Sequence, residues 1–342
     1  MQNYDAILLL SFGGPEGPDD VLPFLRNVTR GRGIPDERLA EVAEHYRHFN
    51  GVSPLNQWCR DLIPRLRDSL RRFDIHLPVY WGNRNWNPML VDTVAQMAND
   101  GVRHALAIAT SAYGSYSSCR QYLDDISAAR AAVGERAPQI DKVRHFFDHP
   151  GFIEGYLPGI EKALNSITVD DTTRLVFTAH SIPQSMEEYS GPEGARYSDQ
   201  VTEAGQLVVD ALGWKGPWDV VWQSRSGPPS VPWLEPDVND RLEELDTTTS
   251  VVVCPIGFLS DHIEVLWDLD NEAADTARRK GIEYARAATP DIDGPLSDTL
   301  AELAAERIQG APLRRLGKLP LWDPREEGCC PARQAPPRPK TE

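Results

Sequence analysis

Two short stretches carry the residues best suited to chemistry, "FTAHSIP" at 177–183 and "SDHIEVLWDLDNE" at 260–272. His180 closes an apolar run and Pro183 breaks the chain soon after, which places the imidazole on a loop at the carboxyl end of a strand. A lone His at such a place commonly does no more than cap a turn. In the second stretch Asp261 and Glu264 have the spacing of a capping box, Asp at N-cap and Glu at N3. That accounts for the first turn and not for the acids that follow at 268 and 272. On an α-helix, residues four apart lie one above another about 6 Å along the axis, and like charges there cost a few tenths of a kcal/mol per pair. A solvated face would interleave cations, and the first one here is Arg278. Glu264, Asp268 and Glu272 therefore read as a path for protons or metal ions leading from a His-x-Glu. Imidazole with carboxylate suits a borderline divalent ion such as Fe²⁺ held loosely, whereas a structural site would be closed and richer in thiolate. The apolar neighbours, Leu266 and Trp267 among them, are expected to anchor this helix to the core.

Residues so far apart must be brought together by the fold. Apolar runs of buried-strand type recur at "DAILLLSFG" from residue 5, "LPVYWG" from 77, "HALAIATSAYG" from 104, "TRLVFTAHS" from 173, "WDVVWQS" from 218 and "SVVVCPIGF" from 250. Amphipathic helical patterns lie between them, such as "PMLVDTVAQMANDG" and "DQVTEAGQLVVDALG". Strand alternating with helix predicts an α/β protein with parallel sheets and right-handed crossovers. The strands fall into two groups separated near "FFDHPGF", which predicts two similar Rossmann-like lobes, each a parallel sheet flanked by helices, with the active-site cleft between them. The expected boundaries are 1–148 plus about 294–318 for the first lobe, 149–293 for the second, and an irregular tail at 319–342. Ligand loops belong at the strands' carboxyl ends, which puts "SFGGPEGP", "TSAYGSYSSC", "TAHSIP", "WQSRSG" and "CPIGFLSDH" on the rim. The segment 15–56 reads as a helical lid over one edge.

Composition narrows the class of function. With 342 residues, the chain can build a large core without disulfides. A formal charge of -16 argues against general nucleic-acid binding and against adhesion to anionic lipid. Five scattered cysteines and no secretory h-region predict a reducing, cytoplasmic setting, and no run approaches the roughly 20 apolar residues of a membrane span. A nucleotide site is the default for a doubly wound fold, but "GRGIPD" lacks the third Gly and follows no strand, and no P-loop appears. The G-x-S-x-G elbow and the H-E-x-x-H and paired C-x-x-C zinc spacings are absent too.

The motifs "LLLSFGGP", "NGVSPLNQ", "FTAHSIP", "WQSRSGPPSVPWLEPDV" and "CPIGFLSDHIEVLWDLDNE" resemble those of the ferrochelatases, in order over residues 4 to 310, and resemble most the actinobacterial members that act on coproporphyrin. The resemblance implies insertion of Fe²⁺ into coproporphyrin III to give coprohaem in haem biosynthesis, with His180 as the active-site His and Glu264 facing it across the macrocycle. Asp268 and Glu272 would continue along a helix that is often π-bulged in the family. It implies porphyrin contacts from Ser53 and Tyr122 to carboxylates, from Arg30 or Arg32 in the lid to a propionate, and from Phe12, which packs on the ring where many Gram-positive relatives have a Tyr. His45 and Asn85 stand where those relatives have an Arg and a His, so their propionate contacts do not transfer residue by residue. A mostly polar lid fits the four carboxylates of coproporphyrin. Protoporphyrin IX insertion, another tetrapyrrole chelation, and a non-catalytic porphyrin carrier on the same fold stay open. The expected partners are small molecules, in a monomer with at most transient contacts to neighbouring haem-pathway enzymes.

The resemblance also implies a [2Fe–2S] cluster, which some members hold with one internal Cys and three in a C-terminal extension. Cys119, Cys329 and Cys330 are the matching ligands here. The fourth is either not a cysteine or one of Cys59 and Cys254, and Cys254 lies inside a strand that reads as buried.

Overall fold

The computed structural model describes residues 3–31, 33–192, 195–227, 230–323 and 329–331. Their strands form two four-stranded sheets. The first holds β1 (Ala6–Ser11), β2 (Val79–Asn83), β3 (His104–Ala109) and β4 (Gln139–Lys142) in the order β2-β1-β3-β4. The second holds β5 (Arg174–His180), β6 (Trp218–Gln223), β7 (Ser250–Cys254) and β8 (Glu283–Arg286) in the order β6-β5-β7-β8. The named strands pair in parallel throughout. Counted from its own first strand, each sheet has the same order, so the fold is repeated where the sequence is not.

All six apolar runs are strands, as expected. β4 and β8 escaped the reading because each is a four-residue edge strand with polar sequence, "QIDK" and "EYAR"; edges are short and charged to discourage further pairing. In β1 the alternation is two-sided: Ile7 and Leu9 join one cluster while Ala6, Leu8 and Leu10 join another, the signature of a strand covered on both faces.

In each sheet the chain leaves the first strand to one side and returns on the other. Crevices thus open between the carboxyl ends of β1 and β3 and of β5 and β7, the switch points where ligands bind. The lobes share a core that runs from Ile7 and Leu9 through Phe146, Phe147 and Phe152 to Phe177 and Val252. Polar ties cross it as well. The buried Tyr113 hydroxyl donates to the Ile256 carbonyl at 2.8 Å, and that of Tyr156 lies 2.9 Å from both the Ile256 and Phe258 carbonyls. Burial pushes both phenols above their usual pKa, so they remain donors and fix the loop after β7. Gly257 lets that loop lie against β5: its N–H donates to the Thr178 carbonyl at 3.0 Å, and a Cβ there would come 2.6 Å from the Cβ of Ala179.

Helix Pro295–Gln309 packs on helix Leu55–Arg72, where Ser69 and Arg72 both bond to Asp298. The lid contains helices Val21–Val28 and Asp36–His48. Its small cluster of Val21, Phe24, Leu25, Leu39, Ala43 and Tyr46 also takes in Ile263 from the far lobe, so burial of one isoleucine closes the lid over the start of the acid row. Among the described residues no helix is long and apolar enough to cross a membrane.

Candidate active site

His180 is the last residue of β5, and Glu264 follows the loop after β7, the strand next to β5. The switch point of the second sheet therefore brings them together, with Nε2 of His180 3.9 Å from a Glu264 oxygen. Both side chains reach solvent, at 37% and 50% of their full exposure. The backbone of His180 is pinned on both sides: Tyr197 donates to its carbonyl at 3.1 Å, and Ser181 bonds through N–H to Gln223 and through Oγ to Leu234, each at 2.8 Å. Nδ1 lies 2.5 Å from the Ser181 carbonyl. A carbonyl only accepts, so that contact requires the proton on Nδ1 and, in the neutral ring, leaves the lone pair on Nε2 beside Glu264, the tautomer a proton acceptor needs.

The separation of 3.9 Å corrects the expectation that Glu264 faces His180 across a macrocycle. A flat ring needs roughly 7 Å between the atoms flanking its two faces, twice an ordinary carbon contact. The two side chains instead form one pole.

The acid row also departs from the straight α-helix. Only Ile263–Val265 is α-helical, and Leu266–Ala273 is a π-helix. Such a segment bonds i to i+5, so residues four apart no longer stack. The side chains follow the same spacing, since the indole of Trp267 donates to Glu272, five residues on, at 2.9 Å. Nor does the capping box form. His262 is the N-cap, without a side-chain bond, and Asp261 is held by Arg286 of β8 through two contacts of 3.0 Å; a two-pronged guanidinium outcompetes a single backbone N–H. Asp268 turns inward, where Ser224 and Gln223 donate to it. Burial pushes its pKa up to about 7; the Ser224 bond opposes this and the charges of Glu264 and Glu272 reinforce it. The row is thus three acids in three settings, two exposed at its ends and one sequestered and easily protonated.

Val265, Leu269 and Ala273 anchor the segment to the core of the second lobe. Leu266 and Trp267 are only half-buried, which corrects the role expected for them. Trp267 faces the lid, stacked on His45 with centroids 4.1 Å apart and planes 8° apart, and edge-on to His48. Burial lowers the pKa of His45 against the attraction of Glu272, so the stacked imidazole stays neutral more readily.

The loops after the strands of the first sheet carry the other candidate residues. Phe12, just after β1, is 37% exposed. Behind it the Arg84 guanidinium lies 5.6 Å from the Phe12 ring and 4.6 Å from that of Tyr122, while pairing with Asp125 at 2.5 Å. Tyr122 is buried, and burial raises its pKa against the opposing charge of Arg84. Ser53 is buried beneath the loop of Gly14, with Oγ 3.5 Å from the Leu55 N–H. Asn85 ties this wall to the lid: it donates to the Phe12 carbonyl, and its own carbonyl accepts from Asn27. Arg30 is exposed and bonds to Asn27 at 2.6 Å, and Arg32 lies outside the described residues.

A model of the ferrochelatase family matches residues 4–308. The chain belongs to the ferrochelatase family. The "Coproporphyrin III ferrochelatase" of Nocardia farcinica is 52% identical over 97% of this chain and 98% of its own length. The protein of that name in Mycobacteroides abscessus is 53% identical over 93% of each chain. Among solved structures, "SirB from Bacillus subtilis with Fe3+" covers 90% of this chain and 98% of its own, with 9% identity and a TM-score of 0.52, a likeness of fold alone.

Sequence reasoning passed over two features near these residues. Arg84 sits just after β2, whose carboxyl end opens on the same rim, and that topology could have drawn attention to "GNRNW". The stacking of His45 on Trp267 had no signal, because it joins two elements 222 positions apart by their face alone. Cys59 and Cys254 are buried in the core. Cys119, in the π-helical turn Tyr116–Arg120, is close enough to Cys329 for each thiol to shift the other, and the Sγ of Cys329 is 3.5 Å from that of Cys330.

Proposed function

We propose that this chain inserts ferrous iron into coproporphyrin III, giving Fe-coproporphyrin III and two protons, as a metal chelatase of haem biosynthesis. The observation that carries the reading is the His180–Glu264 pair, one free imidazole lone pair beside an exposed carboxylate at the switch point of the second lobe, in a chain so similar to enzymes named for this reaction. The lobes are taken as 1–148 with about 294–318, and 149–293; the two sheets support the division, and the packing of helix Pro295–Gln309 on helix Leu55–Arg72 supports the return of the last segment to the first lobe.

The macrocycle lies against Phe12, whose exposed ring can stack on it, with Arg84 and Tyr122 behind and Ser53 and Arg30 toward its carboxylates. His180 takes a pyrrole proton at Nε2 while Nδ1 stays bonded to Ser181. Glu264 meets the incoming ion and the second proton. Asp268, near half-protonated at neutral pH, takes protons onward, and Glu272 marks the outer end of the path. Cys119, Cys329 and Cys330 would hold a [2Fe–2S] cluster: two adjacent thiols 3.5 Å apart, a third close enough to shift one of them, and the Trp322 indole donating to Cys329 Sγ at 3.0 Å fit such a group. A bound cluster would supply a reducible centre and a covalent staple for the tail.

The test is turnover of coproporphyrin III and protoporphyrin IX with Fe²⁺ by the wild type and by His180→Ala. We expect coproporphyrin III to be favoured, and the variant to bind porphyrin but lose metallation. A variant that metallates normally would leave a porphyrin carrier as the better reading.

A further inference from the structure

The cysteine count leaves the tail site one ligand short. Five cysteines are present, and Cys59 and Cys254 are committed to the core, where a bond to a metal at the tail would require unpacking helix Leu55–Arg72 or strand β7. One further donor is already at the site. His145 is 2% exposed, and among the described residues neither ring nitrogen has a hydrogen-bond partner of ordinary geometry. A buried imidazole with both nitrogens unmatched sacrifices the hydration of two polar atoms, and a native structure seldom leaves that uncompensated.

The surroundings hold this ring beside Cys119 and the Trp322 indole. The backbone next to it is tied to the turn before Cys119 by the Phe146 N–H donating to the Ala112 carbonyl at 2.9 Å. Between Ala112 and Cys119 the chain passes Gly114, clamped by Gln200 through its N–H at 2.7 Å and its carbonyl at 3.1 Å. A Cβ on Gly114 would come 3.1 Å from Nε2 of His145 and 2.5 Å from the Trp322 ring, so a glycine keeps the face of the imidazole open. Trp322 packs beside it, its ring centroid 4.7 Å from that of His145, and the same indole donates to Cys329. The imidazole is also close enough to Cys119 to influence its thiol, as is the buried Lys142.

We infer that His145 is the fourth ligand of the centre held by Cys119, Cys329 and Cys330, so that the chain carries a [2Fe–2S] cluster with three thiolates and one imidazole. The inference rests on the cluster reading above and adds the residue that completes it. Three thiolates and a neutral ring bring one negative charge fewer than four thiolates, and the Lys142 ammonium offsets what is left. The four side chains are not gathered about one point as the ligands of a single ion would be. A two-iron cluster takes its ligands as two pairs, each on its own iron, and histidine is an accepted ligand there. Binding releases three thiol protons and leaves the imidazole neutral, with one nitrogen bonded to iron. The cluster would then join the first lobe, through Cys119 and His145, to the tail, beside the second-lobe helix that carries Gln200.

The experiment uses the full chain purified without oxygen, with iron and sulfide analysis, visible absorption, and pulsed paramagnetic resonance of the reduced protein to detect nitrogen bonded to iron. We expect iron and sulfide in equal amounts, a directly coupled imidazole nitrogen in the wild type, and at least about a tenfold loss of bound iron in His145→Ala. His145→Cys should keep the cluster and lose the nitrogen coupling, which controls for a folding defect. A cluster without nitrogen coupling, or one unchanged in His145→Ala, overturns the role of His145 and leaves the cluster standing. A wild type without iron and sulfide, even after anaerobic reconstitution, overturns both.

Discussion

The crevice between β1 and β3 and the crevice between β5 and β7 are equivalent places in two sheets of the same order, yet they are furnished differently. The first has an exposed aromatic ring backed by a guanidinium that already has its carboxylate and its two rings. Its polar groups are spoken for. The second has His180 with a free lone pair, Glu264 in solvent and Asp268 held near neutrality. A satisfied wall keeps its shape and suits holding a flat ligand, whereas groups with protons to give and take suit the exchange of metal for protons.

The sharpest way to break this comparison is a double-mutant cycle at the reactive pole. His180→Ala and Glu264→Gln should each lower kcat by about 10²–10⁴, the usual worth of a positioned acid or base. The double variant should be little worse than the poorer single one, because the two act on the same protons. Multiplying effects, in steady-state metallation assays, would mean that the 3.9 Å pair is not a functional unit.

The wall should respond in a different kinetic constant. Arg84 is only 5% exposed in its side chain, so Arg84→Met removes the layer between Phe12 and Tyr122 and also strands Asp125. Paired with Asp125→Asn to relieve that charge, it should raise KM for the porphyrin roughly tenfold with kcat within about twofold, since a binding surface acts on ground and transition states alike. An equal fall in kcat would place Arg84 in the chemistry and erase the distinction.

What the sequence revealed follows the same division. Strands read easily because burial on both faces leaves continuous apolar runs, and the edge strands "QIDK" and "EYAR" did not because an edge has to be polar. His180 and Glu264 were legible as polar residues at strand ends. Their separation was not, because the expectation of a ring between them came from resemblance and the distance comes from the adjacency of β5 and β7. The acid row was legible by count and misread by period: a π-helix has no composition of its own, and only its bonding moved Trp267 off the core and onto the lid. His145 was invisible as a candidate because what marks it is the lack of partners, which a sequence cannot display.

The lid contact separates the poles more gently. Trp267→Leu removes the stack on His45, worth about 0.5–1.5 kcal/mol beyond area, while Val265 and Leu269 still hold the segment. Amide exchange in Asp36–His48 should then quicken by about threefold to tenfold, with His180 chemistry intact. Unchanged exchange would show that Ile263 alone secures the lid.

The smallest effect concerns Asp268 and appears only as a dependence on pH. Its folded pKa is about 7, raised by burial from an ordinary carboxyl value of 3.8. Between those two values the native protein keeps a proton that the unfolded chain has lost, so stability falls as pH climbs from about 4 to about 7 and stays lower above it. Asn in its place has no proton to lose, and its carbonyl can still accept from Ser224 and Gln223. Asp268→Asn should therefore match the wild type near pH 4 and exceed it at pH 8, by about 1 kcal/mol once solvent access to the carboxylate is allowed for. Denaturant melts at the two pH values measure the difference. A variant less stable at pH 8 would mean that the ionised form is the one the site prefers, and that the second pole is as fully satisfied as the first.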